Sequence, residues 1–193
     1  MKRDFSEHSA VLWDQIAKEL EGDFLETKEW VSSRLVATDG EWRVALDYHQ
    51  HPGYRSTAIY TRFHAPYMSE NPFRFRLRYE HFEHKLGKLV GLQDIEVGDK
   101  KFDKTFLIQS NQTNRFTTIL NRKRLRELLQ AEPHVRLLLH DDLGFWGEHY
   151  DKPTRDVSIE LHGRIKDVER LKRLYDTLAE VMTGLCETRG ETE

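Results

Sequence analysis

The stretch Asp39-Gly40-Glu41-Trp42-Arg43-Val44-Ala45-Leu46-Asp47-Tyr48-His49 decides the fold class. Trp42, Val44, Leu46 and Tyr48 fall on one side of an extended chain, and Glu41, Arg43, Asp47 and His49 on the other. A period of two is the signature of a half-buried strand, because successive side chains of a pleated backbone point to opposite faces. Asp39-Gly40 supplies the turn chemistry of a hairpin, folding this strand back onto the segment around Arg34 to Ala37.

Working outward, His51-Pro52-Gly53 reads as the next turn, followed by a strand from Arg55 to about His64 that Pro66 breaks. In the segment 73–79, Phe73, Phe75, Leu77 and Tyr79 face one way and Arg74, Arg76 and Arg78 the other. Phe82, Leu86, Leu89 and Val90 mark a short helix. Upstream, Leu12, Trp13, Ile16 and Leu20 recur at helical spacing, with Ser6 or Ser9 as N-cap and Gly22 as the stop.

Downstream, Phe102 to Ile108 reads as a strand, and Phe116, Ile119, Leu120, Leu125, Leu128 and Leu129 as one bent helix or two short ones ended by Pro133. Val135 to Leu139 and Glu148 to Tyr150 suggest a hairpin around Gly144-Phe145-Trp146-Gly147. Val157, Ile159 and Leu161 alternate with Asp156, Ser158, Glu160 and His162. A last helix is marked by Val168, Leu171, Tyr175, Leu178, Met182 and Leu185, with Leu174 and Val181 widening the stripe.

Tight turns imply antiparallel pairing, and helices gathered apart from the strands argue against a doubly wound sheet. The expected class is α+β: a mainly antiparallel sheet of about seven to eight strands with an N-terminal helix, short central helices and a long C-terminal amphipathic helix. One domain over 1–193 is expected. A cut near Gly91 into two sheet-plus-helix halves, 1–91 and 92–186, is the alternative, and 187–193 is a polar tail.

Composition narrows the function classes. With 33 acidic and 30 basic residues the net charge is −3, which gives no global field for nucleic acid. No apolar run approaches the roughly 20 residues of a membrane span, and the charged N-terminus has no apolar leader core. The single Cys186 cannot form an internal disulfide, so a reduced cytoplasm is the expected compartment.

Several constellations could carry chemistry. Arg74, Arg76 and Arg78 on one sheet face repel one another unless carboxylates such as Glu41, Asp47 or Glu160 lie opposite; otherwise that face suits a small anionic ligand or an acidic partner. Phe145 and Trp146, flanked by glycines, either cap the core or anchor a partner protein. His49 with His51, and His81 with His84, have spacings that metal ligands use, but neither pair completes a site, so no metal or other cofactor is expected.

His140, Asp141, Asp142, Glu148 and His149 contain the residue types of a hydrolytic centre without a nucleophile motif. Arg122, Lys123 and Arg124 either lie inside a helix running through from Phe116 or oppose a helix dipole that an anion could offset. The C-terminal stripe could also seam a homodimer, though it is wider than a coiled-coil seam.

Leu92-Gln93-Asp94-Ile95-Glu96-Val97-Gly98-Asp99 with Phe102-Asp103 and Phe106 behind it, Ile165 to Lys172, and the strand ending Arg62-Phe63-His64-Ala65-Pro66-Tyr67 resemble bacterial domain-of-unknown-function proteins with a "GD..FD..F.I.SN" signature. The resemblance implies a bacterial, cytoplasmic or membrane-peripheral protein and brings no catalytic residues. In the residues themselves, Asp99 caps or closes a turn and Phe102 and Phe106 are core candidates. The function expected is a non-enzymatic binding or interaction module, with a hydrolase or metal-dependent enzyme built on a His/Asp/Glu cluster as the alternative.

Overall fold

A computed structural model describes residues 15–20, 23–25, 34–39, 42–52, 57–80, 91–141 and 154–189. The chain is α+β. The strands are β1 (Asp23–Leu25), β2 (Arg34–Asp39), β3 (Trp42–Pro52), β4 (Thr57–Met68), β5 (Phe75–Tyr79), β6 (Gln93–Asp94), β7 (Phe106–Ser110), β8 (Arg136–Asp141) and β9 (Thr154–His162). The helical stretch 15–19 is α1, followed by α2 (Lys100–Thr105), α3 (Thr113–Leu120), α4 (Lys123–Ala131) and α5 (Val168–Glu187).

The strands form one sheet in the order β1-β2-β3-β4-β9-β8-β5-β7-β6, and every pairing is antiparallel. Strands from before and after Gly91 interleave: β9 lies against β4, and β5 lies between β8 and β7. The hairpin read from Asp39-Gly40 closes with Asp39 opposite Trp42.

One face of the sheet is apolar because the period-two pattern makes it so. Val44 and Leu46 of β3, Phe63 and Ala65 of β4, Phe75 and Leu77 of β5, and Val157, Ile159 and Leu161 of β9 are all buried in a single core cluster. Onto it pack α5, whose Leu171, Leu174, Leu178, Val181, Met182 and Leu185 are buried, and the shorter helices α2 and α3 against β7. Phe75 stacks on Phe116 of α3 at 4.2 Å, an arrangement worth about 1 kcal/mol beyond the area buried. Ile16 of α1 joins the same core, while Leu12, Trp13, Ser6, Ser9 and Gly22 lie outside the described residues.

Four expectations are corrected. Pro66 does not break β4, since it faces Asp156 in the β9 ladder; the ladder to β3 stops at His64, and a strand with one neighbour tolerates a residue without an N–H. His51 and Pro52 extend β3 rather than turn, pairing with Ala58 and Thr57. Phe102 belongs to a helix: the Asp99 side chain accepts hydrogen bonds from the Lys101 and Phe102 amides and starts α2, so the strand begins only at Phe106.

The helix from Phe116 does not run on through Arg122 to Arg124. Arg122 has extended backbone between α3 and α4, and the anions it meets are Glu180 and Glu187 of α5, at 3.0 and 2.5 Å. β8 pairs with β9, with Asp141 opposite Arg155; Glu148 to Tyr150 and the helix read at Phe82 to Val90 lie outside the described residues.

Candidate functional site

The second face of the sheet is polar, and much of it is buried. Asp47 faces Arg62 across the β3–β4 ladder, and the guanidinium donates from Nε to Oδ1 at 2.9 Å and from Nη2 to Oδ2 at 2.6 Å. His64, two residues along β4, puts Nε2 3.7 Å from Asp47 Oδ2 and Nδ1 3.0 Å from Asp156 Oδ1 on β9. The other Asp156 oxygen lies 3.8 Å from Nε2 of His140, which sits opposite it on β8. The result is a chain Arg62–Asp47–His64–Asp156–His140 across four strands, with His64 wholly inaccessible to solvent.

Burial alone would raise the Asp47 carboxyl. The Arg62 hydrogen bonds and the charges of His64, Arg62 and His49 outweigh that and hold it below the usual carboxylate range. Burial likewise works against the Arg62 charge, but its bonds to Asp47, aided by the charges of Asp47, Asp156 and Glu160, raise it above its ordinary value.

The three arginines do three different things, Arg74 lying just before β5 and Arg76 and Arg78 on it. Arg74, half exposed, pairs with Asp141 at 2.6 Å, and Arg155 holds that same carboxylate from β9 at 2.7 Å. Arg76 is buried and donates from Nε and Nη2 to the neutral Gln109 side chain, which passes a hydrogen bond at 2.6 Å to Asp94. Arg78 lines a cleft. Of the carboxylates expected opposite them, Asp47 binds Arg62 and Glu160 lies 3.6 Å from Arg136, while Glu41 lies outside the described residues.

That cleft, of about 270 Å³, opens where β5 and β9 end and β4 and β8 begin. Tyr60, Arg78, Tyr79, His134, Arg136, Leu161, His162 and Arg170 line it. Adjacent residues of one strand, such as Arg78 and Tyr79, belong to opposite sheet faces, so the cleft wraps the end of the sheet. Its walls are two edge-to-face ring pairs, Tyr60 with His162 at 5.3 Å and Tyr79 with His134 at 4.5 Å.

The cations of this cleft are set in place by the fold. Arg170, in the first turn of α5 where a cation opposes the helix dipole, is fixed by two 2.8 Å hydrogen bonds to Glu132, which hold its guanidinium above its ordinary value against partial burial. Arg136 lies over the Tyr60 ring, 5.6 Å from its centroid. Apart from its 3.6 Å ion pair with Glu160, it makes no hydrogen bond among the described residues, and its side chain is 29% exposed.

Of the other candidates, His49 is half-buried beside Asp47 on β3, and the His51 side chain, His81 and His84 lie outside the described residues. Among the described residues no group of three or more His, Cys, Asp or Glu is arranged to hold a metal ion. His140 donates from Nδ1 to its neighbour's carbonyl, Asp141 O, at 2.8 Å; Asp142, Phe145, Trp146, Glu148 and His149 lie outside the described residues. Sequence reading passed over His64, Tyr60, Arg136 and Arg170. The alternation of Tyr60, Arg62 and His64 with Thr61, Phe63 and Ala65 was the available signal for the first two.

The fold and the two sites define an antiparallel α+β protein with a buried ionic chain and a cationic aromatic cleft. No family model and no curated protein matches the chain. Among solved structures it is similar to the mycobacterial trehalose monomycolate transport factor A, TtfA, with a TM-score of 0.54 at 9% identity over 93% of this chain and 95% of that one. At that identity the likeness shows a shared fold.

Proposed function

We propose that the protein is a non-enzymatic binding module whose ligand is a small anion seated in the cleft at the end of β4, β5, β8 and β9. The observation that carries this reading is Arg136: a partly exposed guanidinium, oriented over Tyr60, with no hydrogen bond among the described residues and a concave space before it. Concave sites with apolar walls and a few converging polar groups are the usual form of small-molecule sites.

The enzymatic alternative would use the Asp47–His64–Asp156 chain, which has the residue types of an acid–base centre. His64 is 0% exposed, so no reactant reaches it in this conformation. TtfA is named as a transport factor, a word for carriage rather than for a reaction, which favours binding for the shared fold. No helix among the described residues is long and apolar enough to cross a membrane, and the lone Cys186 is exposed on α5, in keeping with a reducing cytoplasm.

Isothermal titration calorimetry against a panel of small carboxylates, sulfates and phosphates tests the reading. At least one anion is expected to bind saturably at one site per chain, with at least tenfold weaker binding to an Arg136→Ala variant that still unfolds cooperatively. Absence of any saturable anion, or equal affinity in the variant, rejects it.

A further inference from the structure

Resting on that reading, we infer that the ligand of the cleft is an organic phosphomonoester carrying a single ring. Three arginines line the cleft from three separate elements: Arg78 from β5, Arg136 from β8 and Arg170 from α5. Arg170 donates from Nε and Nη2 to Glu132, which leaves Nη1, and Arg136 makes no side-chain hydrogen bond among the described residues, its Nη1 lying 3.6 Å from Glu160. A carboxylate offers two oxygens to such an array, whereas a phosphomonoester offers three and carries about −1.5 to −2 charge at neutral pH.

The local charge also fits a dianion. Glu132 is shared between Arg170 at 2.8 Å and Arg173 at 3.6 Å. Glu160 stands opposite both Arg62 on β4 and Arg136 on β8. Glu132 and Glu160 are thus each shared between two arginines, and the residues that line the cleft include three arginines and no carboxylate.

The walls decide the rest of the molecule. Tyr60, His162, Tyr79, His134 and Leu161 supply four rings and one aliphatic side chain, the kind of wall that packs against a ring. A volume of about 270 Å³ is the share of roughly nine molecules of liquid water. That accommodates a phosphate and one six-membered ring and falls just below the roughly 300–1,000 Å³ of drug-sized sites.

Calorimetry with phenyl phosphate, inorganic phosphate and benzoate separates the contributions. Phenyl phosphate is expected to bind at least tenfold tighter than either of the others. Arg136→Lys, which keeps the charge but loses the planar fork, is expected to weaken phenyl phosphate about tenfold. Tyr60→Leu, which keeps an apolar wall but loses the ring beneath Arg136, is expected to reduce the margin of phenyl phosphate over inorganic phosphate.

Benzoate binding as tightly as phenyl phosphate overturns the phosphate assignment, and inorganic phosphate doing so overturns the ring; both leave the anion site standing. If none of the three binds while another anion of the panel does, the phosphomonoester is rejected and the binding reading survives. If no anion binds, both fall.

Discussion

His64 Nδ1 lies 3.0 Å from Asp156 Oδ1, one diagonal step from its register partner, for His64 itself faces Ser158 in the β4–β9 ladder. The imidazole thus bridges carboxylates from two strands, Asp47 on one side and Asp156 on the other. Removing it leaves two buried carboxylates without the group between them. His64→Ala is expected to lower stability by roughly 2–4 kcal/mol, the cost of an emptied buried site together with carboxylate oxygens that lose their hydrogen-bond partner. Urea denaturation gives the value, and a loss under 1 kcal/mol means the carboxylates find other partners.

Asp47 ties stability to acid. Its carboxyl is held below the ordinary aspartate value, so the fold favours the ionised form. The stabilisation is fully present above the unfolded-state value of about 3.9 and is lost as pH falls through the lower folded-state value. The stability difference between wild type and Asp47→Asn is expected to be flat from pH 7 to about 5 and to shrink below about 4. A difference that stays constant down to pH 2 contradicts the assignment.

Gly184 of α5 lies against Ile119 of α3. A Cβ there would sit 3.0 Å from Ile119 Cγ2 and 3.3 Å from Arg122 Cδ. Gly184→Ala is expected to be near neutral, because helix propensity returns about 1 kcal/mol against the crowding. Gly184→Val adds bulk the site cannot take and is expected to cost about 2–3 kcal/mol in thermal or urea unfolding. Equal stability of the valine variant would mean the two helices move apart freely.

Arg115 on α3 is 2% exposed and, among the described residues, makes no ion pair with a carboxylate. Its guanidinium donates to Thr188 Oγ1 at 3.1 Å, Tyr67 Oη at 2.8 Å and Leu185 O at 3.3 Å, and lies 4.3 Å from the Phe73 ring centroid. The negative end of the α5 dipole offsets the charge, so the residue clamps α3, β4 and the C-terminus of α5. Arg115→Ala is expected to cost about 3 kcal/mol, and Arg115→Lys to recover less than half, since an ammonium cannot reproduce the planar fork. Full recovery by lysine would show that only charge is needed there.

What the sequence determined by itself was every feature with a local physical period. The alternations at Trp42 to Tyr48, Phe73 to Tyr79 and Asp156 to His162 specified strands and their apolar face, since a one-residue slip would turn that face to water. The stripe from Val168 to Leu185 specified α5 for the same reason at a period of 3.6. The Phe102 and Phe106 spacing fitted strand and helix alike, and the Asp99 cap chose the helix.

Tertiary structure alone decided which charges meet. Strand order placed β9 beside β4, and that brought Asp156 to His64 from 92 residues away. It also sent Asp47 to Arg62 rather than to the β5 arginines, and gathered Arg78, Arg136 and Arg170 at one sheet end. A carboxylate can accept from any guanidinium within reach, so no spacing in the chain marks its partner. Only the order and register of the strands settle the distance, and with it the chemistry of the cleft.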